Sequence, residues 1–250
     1  MILFGDYHTH TIYSHGTGTV LDNAKVAKEK GLKEIAITDH GFEHFCYNVD
    51  RNKVDDMIKD IQQAKELTGV NVLFGMETNL MNIQGDIDLT NEEASRMDIV
   101  LMGFHKLVKV KSFKDYYNLF FKNHINKWFH YSKAQIERNT LAFLRAIDKN
   151  NIDVITHLNY GLPVNCVEIA KLAKEKGTLI ELNGKRTIFT EEEIAEMVAM
   201  NTKFIINSDA HSPERVGECN LPTNVFIKNR IPKDLVVNLD KLPSFKNHKV

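Results

Sequence analysis

The sequence predicts an α/β fold, a (β/α) barrel built from one domain. Three observations carry this expectation. Seven short apolar runs recur along the chain, amphipathic helical stretches separate them, and neither an internal repeat nor a low-complexity linker breaks the alternation. An open doubly wound sheet is the alternative arrangement of the same elements. The 250 residues, 43% hydrophobic and 26% charged, suffice to bury a substantial core without disulfide or metal staples.

The apolar runs fall at 2–4, 34–38, 71–76, 98–102, 152–156, 178–182 and 203–207. Most are nearly continuous in apolar character, as expected of strands covered on both faces. Helices are expected at 20–30, 53–67, 134–149, 164–176 and 191–200. In 53–67 the positions Val54, Met57, Ile58, Ile61, Ala64 and Leu67 keep helical spacing. Thr190 and Glu193 read as a capping box. Gly31, Gly69 and Gly177 fall where helix C-termini should stop. The barrel takes residues 1–220. Residues 221–250 lose the pattern and are expected as a tail packed on the barrel or partly mobile.

The net charge of −1 gives no global field toward nucleic acid or an anionic membrane, and no basic–aromatic motif supplies a local one. Cys46, Cys166 and Cys219 are widely spaced and form no CxxC pair, so a reduced, cytoplasmic protein is expected. The start MILFGDYHTH lacks a signal-peptide pattern, and no apolar stretch approaches membrane-spanning length. A small soluble substrate is the expected partner, and the oligomeric state is left open.

The ionisable residues fall on this frame in a regular way. The first run leads into His8 and His10, with His15 soon after. The second leads into Asp39 and His40, the third ends at Glu77, the fourth leads into His105, and the fifth into His157. The sixth carries Glu181 and Asn183, and the seventh leads into Asp209 and His211. In a barrel the C-terminal strand ends share one face, where active sites form.

A lone His-x-His pair is weak, because a chain with 11 histidines shows one by chance. The joint pattern is specific: seven histidines, Glu77 and Asp209 follow strand ends, whereas His44, His124, His130 and His248 do not. Imidazoles and carboxylates together suit zinc, manganese or iron(II). Without cysteine ligands or a closed four-ligand motif, the pattern points to a catalytic site and not a structural zinc. Glu77, alone on its strand end, is the natural bridge between two ions. Neighbouring ions can clamp both oxygens of a phosphoryl transfer and activate a water. No nucleophile elbow, P-loop or dinucleotide motif competes.

The series DYHTHTIYSH, ITDH, GMET, GFH, ITHLN and NSDAHS resembles the PHP (polymerase and histidinol phosphatase) superfamily, and looks closest to its stand-alone bacterial phosphatases. The likeness runs from residue 6 to residue 212. It implies a distorted (β/α)7 barrel with three divalent ions, zinc first, with manganese or iron as alternatives. The resemblance gives one ion to His8, His10, Glu77 and Asp209. A second takes Glu77, His105 and His157, and a third takes His15, His40 and His211. His15 stands where other members place an aspartate or another residue, and the resemblance makes histidine there the variant that supports the third ion.

Around the ligands, Asp6 and Asp39 are candidates to orient imidazoles, with turn or capping chemistry as the alternative. Phosphate needs donors, and the candidates on the active face are Lys106, Lys185, Arg186 and Arg215, with Arg186 first and Arg215 second. Residues 113–131 hold Phe113, Tyr116, Tyr117, Phe120, Phe121, Trp128, Phe129 and Tyr131. This segment reads first as a helix packed on the barrel, and alternatively as a lid leaving from His105. The expected activity is metal-dependent hydrolysis of a small phosphomonoester, with Glu77, Asp209, Arg186 and Arg215 as catalytic residues. A histidinol-phosphate phosphatase, a nucleotide or nucleic-acid phosphoesterase, and a non-enzymatic metal-binding module are the competing readings.

Overall fold

The structure is a computed structural model that describes residues 2–110, 112–123 and 131–248. Seven parallel strands follow one another in chain order around a nearly closed barrel. They are β1 (Gly5–Thr9), β2 (Glu34–Ile37), β3 (Asn71–Asn79), β4 (Ile99–Gly103), β5 (Val154–Ile155), β6 (Leu179–Asn183) and β7 (Phe204–Asn207). Each strand pairs in parallel with the next. The doubly wound alternative is excluded by this order, which has no reversal point.

The connecting helices follow the sequence signals. Val20–Glu29 starts with a capping box from Thr19 and Asp22, and Glu191–Ala199 with one from Thr190 and Glu193. Val54–Thr68 and Cys166–Lys176 end on Gly69 and Gly177, both with left-handed backbone. Lys133–Lys149 is the longest helix among the described residues. A further helix, Asn220–Lys228, lies where the sequence pattern fades. It is hard to read because among its residues only Pro222 is buried, so no apolar stripe marks it.

The first strand begins later than the apolar run at 2–4 suggests. Phe4 lies just before it, its amide donating to the Asn238 carbonyl. Residues from the C-terminal segment thus fill the lower seam between β7 and β1. Val236 bridges Phe204, Leu239 bridges Leu3, and the Asn238 side chain bonds both Gly5 and Ile206. Higher up, Thr9 bridges Ala210 directly and closes the barrel.

The barrel interior is filled by Tyr7, Ala36, Leu73, Ile99, Leu101, Val154, Leu179 and Ile205, with Phe245 of the C-terminal segment packed edge-on against Tyr7. In a regular strand adjacent residues face opposite sides. Tyr7 and His8 nonetheless both turn inward, because the pairing register shifts between Asp6 and Thr9. Above the apolar layer the interior becomes polar, and the candidate site begins there. No described helix is long and apolar enough to cross a membrane.

Candidate metal centre

Two residues above Gly75 on β3, Glu77 turns into the barrel and sits at the middle of the polar layer. Its Oε1 accepts from Thr156 Oγ1 and faces His157 Nε2, each at 2.8 Å. Its Oε2 lies 3.1 Å from His40 Nδ1, 3.3 Å from His8 Nε2, 3.4 Å from His105 Nε2 and 3.7 Å from His10 Nε2. One buried carboxylate therefore gathers five imidazoles delivered by β1, β2, β4 and β5. Gly103 makes room for this: a Cβ there would lie 2.5 Å from Thr156 Oγ1, 2.7 Å from His157 Cε1 and 3.1 Å from Glu77 Oε1.

The second carboxylate, Asp209, follows β7 with φ at +54°. Its Oδ1 lies 3.2 Å from both His211 Nδ1 and Lys185 Nζ, 3.6 Å from His10 Nε2 and 3.8 Å from His8 Nε2. His157 also has positive φ, at +29°. Left-handed backbone at non-glycine residues costs on the order of 1–3 kcal/mol each and persists only where surrounding contacts enforce it. His15 completes the cluster, its ring centroid 4.8 Å from that of His40 and 4.1 Å from that of His211. All nine residues expected as ligands are thus brought to one face.

Three sets of donor atoms lie within 4.8 Å of one another: His8, His10 and Asp209; His40, Glu77 and His105; His10, His40 and His211. The first holds three of the four residues of one expected group and lacks Glu77. In the other two His40 approaches Glu77, and His10 takes the place expected of His15. The fit to divalent ions rests on unpaired nitrogen atoms. His8 Nε2, both nitrogens of His10, His15 Nδ1, His40 Nδ1 and His157 Nδ1 are buried without a hydrogen-bond partner. Such atoms are costly in a protein interior unless something satisfies them. Imidazole and carboxylate donors aimed at shared points would be satisfied by divalent ions of the zinc, manganese or iron type.

The electrostatics divide the histidines. Burial opposes charge on His8, but Glu77, Glu181 and Asp209 outweigh it and hold the imidazolium well above its ordinary range. His157 is raised too: burial opposes, and Glu77 prevails. Burial and neighbouring imidazoles push His10 well down, His40 to about 3, and burial with His211 pushes His15 to about 4. Burial alone would raise Glu77 and Asp209, yet the surrounding imidazoles, His8 first, hold both well below the carboxylate range.

The residues that orient the clustered imidazoles are not Asp6 and Asp39. Asp39 accepts from Thr11 N and Oγ1 and from Ser14, so it shapes the loop that carries His15. Asp6 accepts from Ser208 and Gly217 and ties β1 to the loop after β7. Neither bonds an imidazole. Glu181 does: its Oε1 accepts from His8 Nδ1 at 2.7 Å, and its Oε2 from the His157 backbone amide at 2.8 Å. Asn79 Oδ1 lies 2.7 Å from His105 Nδ1, and Asp88 in turn accepts from the Asn79 side chain. The sequence showed Glu181 as a polar residue on an apolar strand, but gave Asn79 and Asp88 no signal.

His44, which the strand-end rule sets aside, lies beside the cluster, with its ring 5.1 Å from that of His40 and 5.9 Å from that of His105. Its Nδ1 accepts from the amides of Cys46 and Tyr47. His248 lies elsewhere, near Glu34 and Asp98. His124, His130, Trp128 and Phe129 lie outside the described residues.

Of the four cations, Lys185 reaches the ligands directly, contacting Asp209 and His211. Arg186 lies over the Tyr160 ring at 3.8 Å, and Tyr160 in turn neighbours His157. Lys106 follows His105 and lines a cavity beside the cluster. Arg215 pairs with Glu218 at 3.5 Å and has no ion pair with the ligand cluster among the described residues, although its charge is felt at Lys185. In the aromatic segment, Phe113–Asp115 and the π-helix Tyr116–Phe121 are described, with Leu119 and Phe120 buried against the barrel.

A family model for the PHP domain matches residues 6–207. The chain is similar to a "Probable phosphatase" of a Thermoanaerobacter species, 31% identical with 96% of this chain and 92% of the relative covered. Another "Probable phosphatase", from Caldanaerobacter subterraneus subsp. tengcongensis, is 30% identical with 98% and 91% covered. Among solved structures, histidinol phosphate phosphatase from Lactococcus lactis subsp. lactis, complexed with zinc, L-histidinol and phosphate, superposes with a TM-score of 0.63. That alignment covers 99% of this chain and 98% of the other at 15% identity, a likeness of fold.

Proposed function

Because the chain belongs to the PHP domain family, we propose that it hydrolyses small phosphomonoesters at a centre of three divalent ions, zinc first among them. The chain is an enzyme of the metal-dependent phosphatase type, in keeping with the names of its relatives. One observation carries the finer reading: the Glu77 carboxylate lies among five imidazoles, four of which keep a buried nitrogen with no hydrogen-bond partner.

The residues to hold the ions are His8, His10, His15, His40, Glu77, His105, His157, Asp209 and His211. When bound, divalent ions there supply Lewis-acid charge to phosphate oxygens and a water activated near neutral pH. The chain's own groups do the rest. Glu77 and Asp209 stay ionised, which suits ligands and not proton donors. Glu181 and Asn79 fix the rings of His8 and His105 so that each turns Nε2 toward Glu77. Lys185 and Arg186 present positive charge to the phosphate, and Arg215 adds to the field from further out. Burial lowers the Lys185 pKa, yet the amine keeps a carboxylate partner in Asp209. We place the enzyme in the cytoplasm, consistent with free Cys46, Cys166 and Cys219.

The test is release of inorganic phosphate from sugar phosphates, nucleotides and histidinol phosphate, before and after chelation and with zinc, manganese or iron restored. Turnover that is lost on chelation and regained on restoration is expected. Full metal loading with no turnover of any ester would favour a metal-binding module instead.

A further inference from the structure

A cavity of about 730 Å³ opens beside the metal centre, within the usual range for small-molecule sites. Its walls grow from the ligand strands themselves. Phe104 and Lys106 flank His105, and Tyr160 sits three residues after His157, its ring centroid 6.0 Å from the imidazole. Phe120, Tyr116 and Tyr131 close the far side. The rings are already in register: Phe104 stacks on Phe120 at 5.4 Å, and Phe120 on Tyr116 at 6.3 Å.

Besides tyrosine hydroxyls, the described residues that line the cavity offer two polar side chains, Asn123 and Lys106. Asn123 lines it, but its side-chain nitrogen donates to Leu119 and Asn139 and its side-chain oxygen accepts from Asn139, so both ends are spent within the wall. Lys106 brings a positive charge to the lining. No carboxylate is among the described residues that line the cavity. An ammonium group held there would meet the like charge of Lys106 and find no acidic partner among the described lining residues.

We propose that this cavity holds the alcohol part of the substrate, and that this part carries a flat aromatic ring and no positive charge. The inference rests on the phosphatase reading above and names the substrate class for the same site. The phosphate lies at the histidine cluster and the ring packs against Tyr116 and Tyr160, since Phe120 is buried and already stacked on Phe104 and Tyr116. Stacking on aromatic faces gives geometric preference beyond simple apolar burial. Lys106 selects against amino alcohols such as histidinol.

Three primary alkyl esters test this on the full metal-loaded chain: phenethyl phosphate and butyl phosphate, whose alcohols have similar leaving ability, and histidinol phosphate, whose ammonium group makes its alcohol the better leaving group. The phenethyl ester is expected to lead both others in kcat/KM by about tenfold, the yield of one to two aromatic pairs. Tyr116→Ala, at the exposed rim where folding is not at stake, is expected to cut the phenethyl-to-butyl ratio about fivefold. Lys106→Glu is expected to raise histidinol phosphate relative to the phenethyl ester. Equal kcat/KM for the phenethyl and butyl esters, with a ratio unmoved by Tyr116→Ala, would overturn the cavity assignment and leave the phosphatase reading intact. A preference for histidinol phosphate would overturn the charge assignment. Calorimetry with phenethylphosphonate and butylphosphonate reads the cavity without turnover. Tighter binding of the aromatic phosphonate would uphold the cavity even if no ester were hydrolysed, and equal affinities would overturn it.

Discussion

Glu181 Oε1 lies 2.7 Å from His8 Nδ1, and this contact turns the other ring nitrogen toward Glu77 and Asp209. The same carboxylate receives the His157 amide, so one buried group on β6 sets two histidines on β1 and β5. Partners of this kind hold a ligand ring in one tautomer and raise its basicity. Glu181→Ala should therefore weaken metal affinity about 10–100-fold, with Glu181→Gln recovering part of the loss because it keeps an acceptor. Competition titration against a chelating dye measures this. Equal affinity in all three proteins would remove Glu181 from the account.

Gly103 is a spatial requirement and not a flexible hinge. A Cβ at this position would meet Thr156, His157 and Glu77 within 2.5 to 3.1 Å. Gly103→Ala should cost about 1–3 kcal/mol of stability, as overpacking of a filled interior does, and should lower metal content by displacing Glu77. Urea unfolding and elemental analysis check the two effects. A variant as stable and as well loaded as the parent would contradict this packing.

Metal uptake should release protons, and from particular residues. The metal-free imidazole of His8 is raised well above its ordinary range, so it carries a proton at neutral pH that an ion must displace, and His157, raised too, adds to the release as the pH falls. His10, His15 and His40 are lowered and already neutral there, so they release none. Release should fade as the pH rises through the raised values. Calorimetry in buffers of different ionisation enthalpy measures the proton count. Binding at pH 7 with no proton release would contradict this assignment.

Much of the fold was legible because strand and helix periods differ and because glycine and capping boxes mark helix ends. Gly69, Gly177 and Thr190 stand where the sequence put them. The start of β1 was not legible. Ile2, Leu3 and Phe4 look like a strand, but an apolar triplet does not reveal that the C-terminal segment will take up their hydrogen bonds. The clustering of these histidines and carboxylates was legible because a barrel brings strand ends together, so position along the chain stands in for position in space. Glu181, Asn79 and Asp88 depend on contacts across strands and loops that spacing does not encode. His44 shows the limit of the strand-end rule: it follows no strand directly, yet a bridge to Val108 brings its loop over the cluster.

Glu77 is the residue on which the account turns, since His8, His10, His40, His105 and His157 all approach its two oxygens. Elemental analysis of the purified chain beside its Glu77→Ala variant, with phosphate release measured on both, tests this directly. The parent should hold about three metal equivalents, and the variant should lose more than one of them and more than about a hundredfold in kcat. A parent that binds no more than one equivalent, or a variant with unchanged metal and turnover, would contradict the bridged centre.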